Sequence, residues 1–134
     1  MPRFSSTSLR ERPASQRAVA EAEVRVRAGR ALVNELLQEM WGKVTAGEHI
    51  STRERALFQL ACSDAVRGCA IAVDAVCDAA GTTSNSQDHP LERIARDVRV
   101  VRQHVTVANH QIDDAGRVLL GLPAQGLMLA GTRN

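Results

Sequence analysis

A chain of 134 residues with 17 basic and 15 acidic side chains, and so a net charge of +2, has room for one domain of ordinary size. It lacks the dense basic face with stacking aromatics that nucleic-acid binders use, so no nucleic-acid role is expected. At 44% hydrophobic it can bury a core, but with no Tyr, one Trp (Trp41) and two Phe (Phe4, Phe58) that core must be built of Ala, Val, Leu and Ile, which suits closely packed helices better than a sheet.

The first residues, "MPRFSSTSLRERP", are Ser-rich and basic and have no apolar central run, which argues against a secretory signal. They are expected to be a lead-in, residues 1–12, before a helical domain over 13–123 and a tail over 124–134. No apolar run approaches the roughly 20 residues that span a bilayer. Cys62, Cys69 and Cys77 form no close pair, so a reducing, cytoplasmic setting without membrane attachment is expected.

The first long helix is predicted from about Ala14 to Ala46. Val19, Ala22, Val26, Gly29, Val33, Leu36, Met40 and Val44 recur at alternating steps of three and four, the stripe of an amphipathic helix. Pro13 suits its start and Gly47 its end. The second opens at "STRE", where Ser51 and Glu54 have capping-box spacing. Its stripe of Leu57, Ala61, Ala65, Gly68, Ala72, Val76 and Ala80 is small in the middle, so another helix can come close, and Gly81 ends it.

A polar loop, "GTTSNSQDHP", leads to Pro90 and a third helix. On it Leu91, Ile94, Val98, Val101, Val105 and Ala108 fall on one face. Asn109 or a neighbour is expected to break it ahead of a shorter fourth helix, Asp113–Leu120, with Asp113 and Asp114 at its favourable N-terminus. "LMLAGTRN" carries no pattern. With no strand pattern, the class is all-α: an antiparallel bundle of three long helices and a short C-terminal one.

Few residues suggest chemistry. The three cysteines lie on one helix at steps of seven and eight, about 10 Å apart along the axis, too far for a disulfide or a shared metal. The four histidines have no ligand spacing, so no metal site is expected. The third helix is the exception. Arg93, Arg96, Asp97, Gln103 and His104 gather on a second face around Val100, which is more than a solvated face needs. Arg96 and Asp97 are expected to be structural, with Asp97 buried and bonded.

"RPASQRAVAEAEVRVRAGRAL", "AAGTT", "PLERIARDV", "QHV" and "AGRVLLGLP" together resemble the C-terminal helical domain of the acyl-CoA dehydrogenase superfamily, and more narrowly its flavin-dependent monooxygenase branch. The resemblance covers about Pro13 to Pro123. It implies FAD or FMN as cofactor and a homodimer or tetramer. It also implies that Gly81, Thr82 and Thr83 approach the flavin, often in a neighbouring subunit. Gln103 would lie at the cofactor, with His104 facing its ring to assist oxygen activation or substrate deprotonation. Many dehydrogenases of the family carry a catalytic Glu about eight residues after the Arg-Asp pair. Here that region reads Gln103-His104-Val105, so dehydrogenation by that Glu is not expected. The family's flavin-holding domains have no counterpart in these residues. The expectation is therefore an oligomerisation module without independent catalysis and with no flavin of its own. The alternative is a partial oxidoreductase that completes a site with a separate flavin-binding subunit.

Overall fold

The computed structural model describes residues 7–130, and among these there is no strand. A 3-10 turn at Leu9–Glu11 leads into α1 (Pro13–Thr45), α2 (Thr52–Ala80), a second 3-10 turn (Gly81–Asn85), α3 (Pro90–Arg102), α4 (Asn109–Leu119) and α5 (Leu127–Ala130). The bundle is all-helical, as the periodicity predicts, and α2 is its axis. Helix α1 packs along one side of α2; α3, α4 and α5 pack on the rest.

Local chemistry sets the helix limits. Pro13 occupies the first turn of α1, where a missing N–H costs nothing. Gly47 takes φ +73° just beyond its end, and Glu48 N donates to Lys43 O at 2.9 Å. Ser51 caps α2: its hydroxyl accepts from Glu54 N at 3.2 Å, and Glu54 Oε2 accepts from Ser51 N at 2.8 Å. Lys43 ion-pairs with the other oxygen of the same carboxylate, tying the end of α1 to the start of α2. Gly81 closes α2 with φ +69°. His89 caps α3, its Nδ1 accepting from Leu91 N at 3.2 Å, ahead of Pro90.

The core is thin because its buried positions are small. Ala18, Ala56, Ala61, Ala70, Ala72, Ala95 and Ala115 are buried, and among the described residues Leu129 is the one larger apolar side chain buried with them. Small residues let α1 and α2 approach until a Cβ placed on Gly29 would lie 3.1 Å from that of Ala65. The stripe of α1 is in contact from Ala22 to Met40, as its spacing predicts. At its ends contact shifts to Ala18 and Lys43, and Val19 and Val44 are exposed. A straight α-helix of 3.6 residues per turn drifts off a 3.5-residue stripe over this length.

The third helix departs further from expectation. It stops at Arg102, and its covered side is Leu91, Ala95 and Val98; Ile94, Val101 and Val105 are exposed. Helix α4 starts at Asn109, not Asp113. The carboxylates therefore lie past its first turn and do not cap it. Asp114 is buried instead and accepts from Gln125 N at 2.7 Å and Gly126 N at 3.0 Å. That clasp returns the patternless tail over α2, where Leu129, only 2% exposed, packs with Ala56 and Ala115. Asp97 is not buried: its side chain is 62% exposed, 3.6 Å from Arg93 on its own helix. One face of α3 is simply solvated.

Three outcomes follow from these contacts. Gly29→Leu has no room against Ala65 and should lower stability by about 1–3 kcal/mol, read as a fall in the urea midpoint. The Lys43 ammonium, then the Ser51 N–H and hydroxyl, hold the Glu54 carboxyl down at about 2 from an ordinary 4.5. A depressed folded-state pKa stabilises above the unfolded value and is lost as pH falls through the folded one. Melting temperature should therefore drop between pH 4.5 and 2 more steeply in the native chain than in Glu54→Gln. Asp97→Asn, at an exposed position, should change the unfolding free energy obtained from urea titration by less than about 0.5 kcal/mol.

Candidate functional site

The end of α2, the turn after it and α3 enclose an open groove of about 450 Å³. The turn owes its shape to Ser84, which is buried and donates from Oγ to Gly81 O at 2.7 Å and to Cys77 O at 3.2 Å. With Ser84 folded inward, Gly81, Thr82 and Thr83 face solvent. Ser84 and Asn85 line the groove from the turn, Cys77 from α2, and Arg96, Arg99 and Gln103 from α3 and its cap. Arg99 reaches Asp74 on α2 at 3.7 Å, and Arg96 reaches Glu92 at 3.8 Å; both guanidinium groups remain largely exposed. Burial, then the nearby Asp74 carboxylate, pushes the Cys77 thiol up, partly offset by Arg99. That bias is toward the neutral thiol, which forms part of the groove wall.

Gln103 caps the C-terminus of α3 and also lines a second groove of about 770 Å³. There it meets Arg67 and Ile71 of α2, Arg102, and Asn109 and His110 at the start of α4. Among the described residues Arg67 and Arg102 have no acidic partner within ion-pair distance. The structure thus brings Gln103 together with the turn that follows Gly81–Thr83, through Ser84 and Asn85. It does not bring Gly81, Thr82 or Thr83 into the groove lining.

His104 is not on a helical face. It lies in the turn between α3 and α4, exposed, with Nδ1 at 2.8 Å from Thr106 Oγ1. Two residues that sequence reasoning passed over shape this turn. Gln59 on α2 donates to Thr106 O, and Gln111 on α4 donates to Val105 O at 2.8 Å. Gln111 is 3% exposed. The available signal was a glutamine flanked by Phe58 and Leu60 in an otherwise apolar helix turn, since a buried amide needs partners. Among the described residues no three His, Cys, Asp or Glu side chains come together as a metal ion would require.

Comparison with known proteins agrees with this architecture. The family model for the acyl-CoA dehydrogenase C-terminal domain matches residues 3–109. The chain is similar to an indole-3-acetate monooxygenase of Acinetobacter baumannii, 28% identical over 123 residues, which is 91% of this chain and 32% of the relative. An indole-3-acetate monooxygenase of Pseudomonas putida is 30% identical over 114 residues, 85% of this chain and 29% of the relative. The chain thus spans about a third of the length of the relatives it matches. With a helical hairpin, a capped turn and the Arg96-Asp97 to Gln103-His104 segment arranged around α2, the chain belongs to the acyl-CoA dehydrogenase family, as its C-terminal helical domain.

Proposed function

We propose that this chain is an assembly module of a flavin-dependent, monooxygenase-like oxidoreductase, self-associating as a dimer or tetramer and without catalysis of its own. The observation that carries this reading is the uncovered surface of α1. That helix packs on α2 along one stripe, and Val24, Leu32, Leu37, Trp41 and Val44 remain exposed, Trp41 by 67%. Exposed apolar surface on this scale marks an interface, and two-fold contacts are the commonest solution in soluble oligomers. The small-residue stripe of α2 is partly occupied within the chain: Gly29 closes on Ala65 and Ala72 is buried, whereas a Cβ on Gly68 would meet nothing within 4 Å. The contact in this reading is the exposed flank of α1 that carries Leu37, Trp41 and Val44; Val24 and Leu32 border a groove shared with Ala61, Ala65, Gly68 and Ile71 of α2.

A second reading is favoured by a different observation, the sharing of one groove by Gln103, Ser84 and Asn85. In it the chain lends Gln103, His104 and the Gly81–Thr83 loop to a flavin site completed by a separate flavin-binding subunit. The residues present fit part of a flavin. Arg67, Arg96, Arg99, Arg102 and the Gln103 amide are donors suited to phosphate or carbonyl oxygens. Apolar walls are few, namely Cys77, Ala95, Val100 and Ile71, so the ring as a whole needs surfaces from elsewhere. A bound FAD or FMN supplies the redox chemistry, and this chain orients its edge. The family names of the relatives support an oxidoreductase role for the assembled protein. No described helix is long and apolar enough to cross a membrane, and three free thiols suit the cytoplasm.

Sedimentation equilibrium over micromolar concentrations should show dimer or tetramer, with Trp41→Glu and Leu37→Glu shifting the chain toward monomer. A stable native monomer would sink the assembly reading. The purified chain should be colourless and should not oxidise acyl-CoA. One flavin per chain retained through gel filtration would refute the absence of a cofactor of its own.

A further inference from the structure

We infer that the two grooves meeting at Arg67 form one site for a free amphiphilic phosphate, its head between Arg67 and Arg102 and its apolar body along the groove between α1 and α2. The site goes beyond the assembly and flavin readings and draws on neither.

Arg67 and Ile71 form a ridge on α2 that borders both grooves. On one side lies the groove of about 770 Å³ that Gln103 lines. On the other, α1 and α2 flank a groove of about 810 Å³. Its apolar walls are chiefly Val24, Ala28 and Leu32 of α1 with Ala61, Ala65 and Gly68 of α2. Along α1 it runs from Ala20 to Leu32, about 18 Å at the helical rise, long enough for an alkyl or arylalkyl chain. Gly68 leaves space beside the ridge, since a Cβ there would meet nothing within 4 Å.

Charge decides which end of a ligand goes where. Around the α1–α2 groove two acids, Glu21 and Asp64, offset two bases, Arg25 and Arg67. The neighbouring groove carries Arg67 and Arg102 with no carboxylate, and its other polar side chains, Gln103, Asn109 and His110, can all donate. Nearby arginines are engaged, Arg99 with Asp74 and Arg96 with Glu92. Among the described residues Arg67 and Arg102 have no such acid. Arg102 stands in the last turn of α3, where the helix dipole favours a cation. Arg67, in the middle of α2, has no such reason for its charge. Two guanidinium forks match the roughly two negative charges and three acceptor oxygens of a phosphate monoester. Both arginines are exposed, so salt screens the head contact, and burial of the apolar body must contribute much of the affinity.

The test is calorimetric titration of the full chain with octyl phosphate, octanol and inorganic phosphate, repeated in Trp41→Glu, a position that lines neither groove. Octyl phosphate should bind at least about tenfold more tightly than either other probe. Arg67→Gln and Arg102→Gln should each weaken it by about tenfold. Gly68→Leu has room for its side chain and should bring octyl phosphate down to the level of inorganic phosphate, whose own binding it leaves unchanged. Equal binding of octyl phosphate and inorganic phosphate by the native chain would overturn the apolar half of the site. Unaltered binding in Arg102→Gln would overturn the head. FMN binding more tightly than octyl phosphate would give the groove to a flavin and defeat the proposal. Capture by phosphatidylcholine vesicles containing phosphatidic acid, without binding of the free probe, would assign the arginines to a lipid surface and defeat it too. Binding present in the native chain but lost in Trp41→Glu would place the site between copies and count against it. Binding kept in both chains supports it whatever the oligomeric state, so this result and that of the assembly reading are separate.

Discussion

The approach of α1 to α2 at Gly29 and Ala65 is the constraint on which the rest depends. With a Cβ on Gly29 only 3.1 Å from its neighbour's, the two helices are as close as their backbones permit. The contact is antiparallel, since the Lys43–Glu54 pair closes the same hairpin at its connection. Helix α2 must then serve α3, α4 and α5 with its remaining sides. It can because Ala56, Ala61, Ala70 and Ala72 take little space at its buried positions. A core of alanines has a consequence: each buries little apolar area, so stabilisation per residue is small. Polar devices contribute the difference at chosen points, namely the Ser51 capping box, the Lys43 pair and the Asp114 clasp.

The same economy leaves large apolar side chains outside. Leu37, Trp41 and Val44 of α1 are exposed, whereas Leu129 is buried against Ala56 and Ala115. This exposed apolar surface is the observation on which the proposed assembly role rests.

Along α3 and the turns on either side of it, the grooves are shaped by hydrogen bonds more than by packing. Ser84 folds the turn after Gly81 inward, and Gln59 and Gln111 hold the turn after α3 by its carbonyls. Gln103 sits between these two turns and lines a groove with each. The two turns contribute mainly polar and cationic groups. Such walls suit the edge of a ligand whose apolar body lies against another surface.

The sequence by itself determined the helical class and nearly all of α1 and α2. Their stripes are long and periodic, and Pro13, Gly47, the Ser51–Glu54 box, Gly81 and Pro90 act through the few residues beside them. It also singled out Gln103 and His104 by residue type. Tertiary structure decided what depends on distant partners. Helix α3 ends at Arg102 and not near Asn109: Gln103 N and His104 N bond three residues back, to Val100 O and Val101 O, and two carbonyls of the turn that follows are met by Gln59 and Gln111 from other helices. The two amides lie 47 and 6 residues away from the atoms they meet, beyond any local pattern. Asp114 is a buried clasp and Asp97 a solvated residue, though each is an aspartate on a short helix. Their difference is which side of the helix α2 and the returning tail cover, and no spacing within the helix records that.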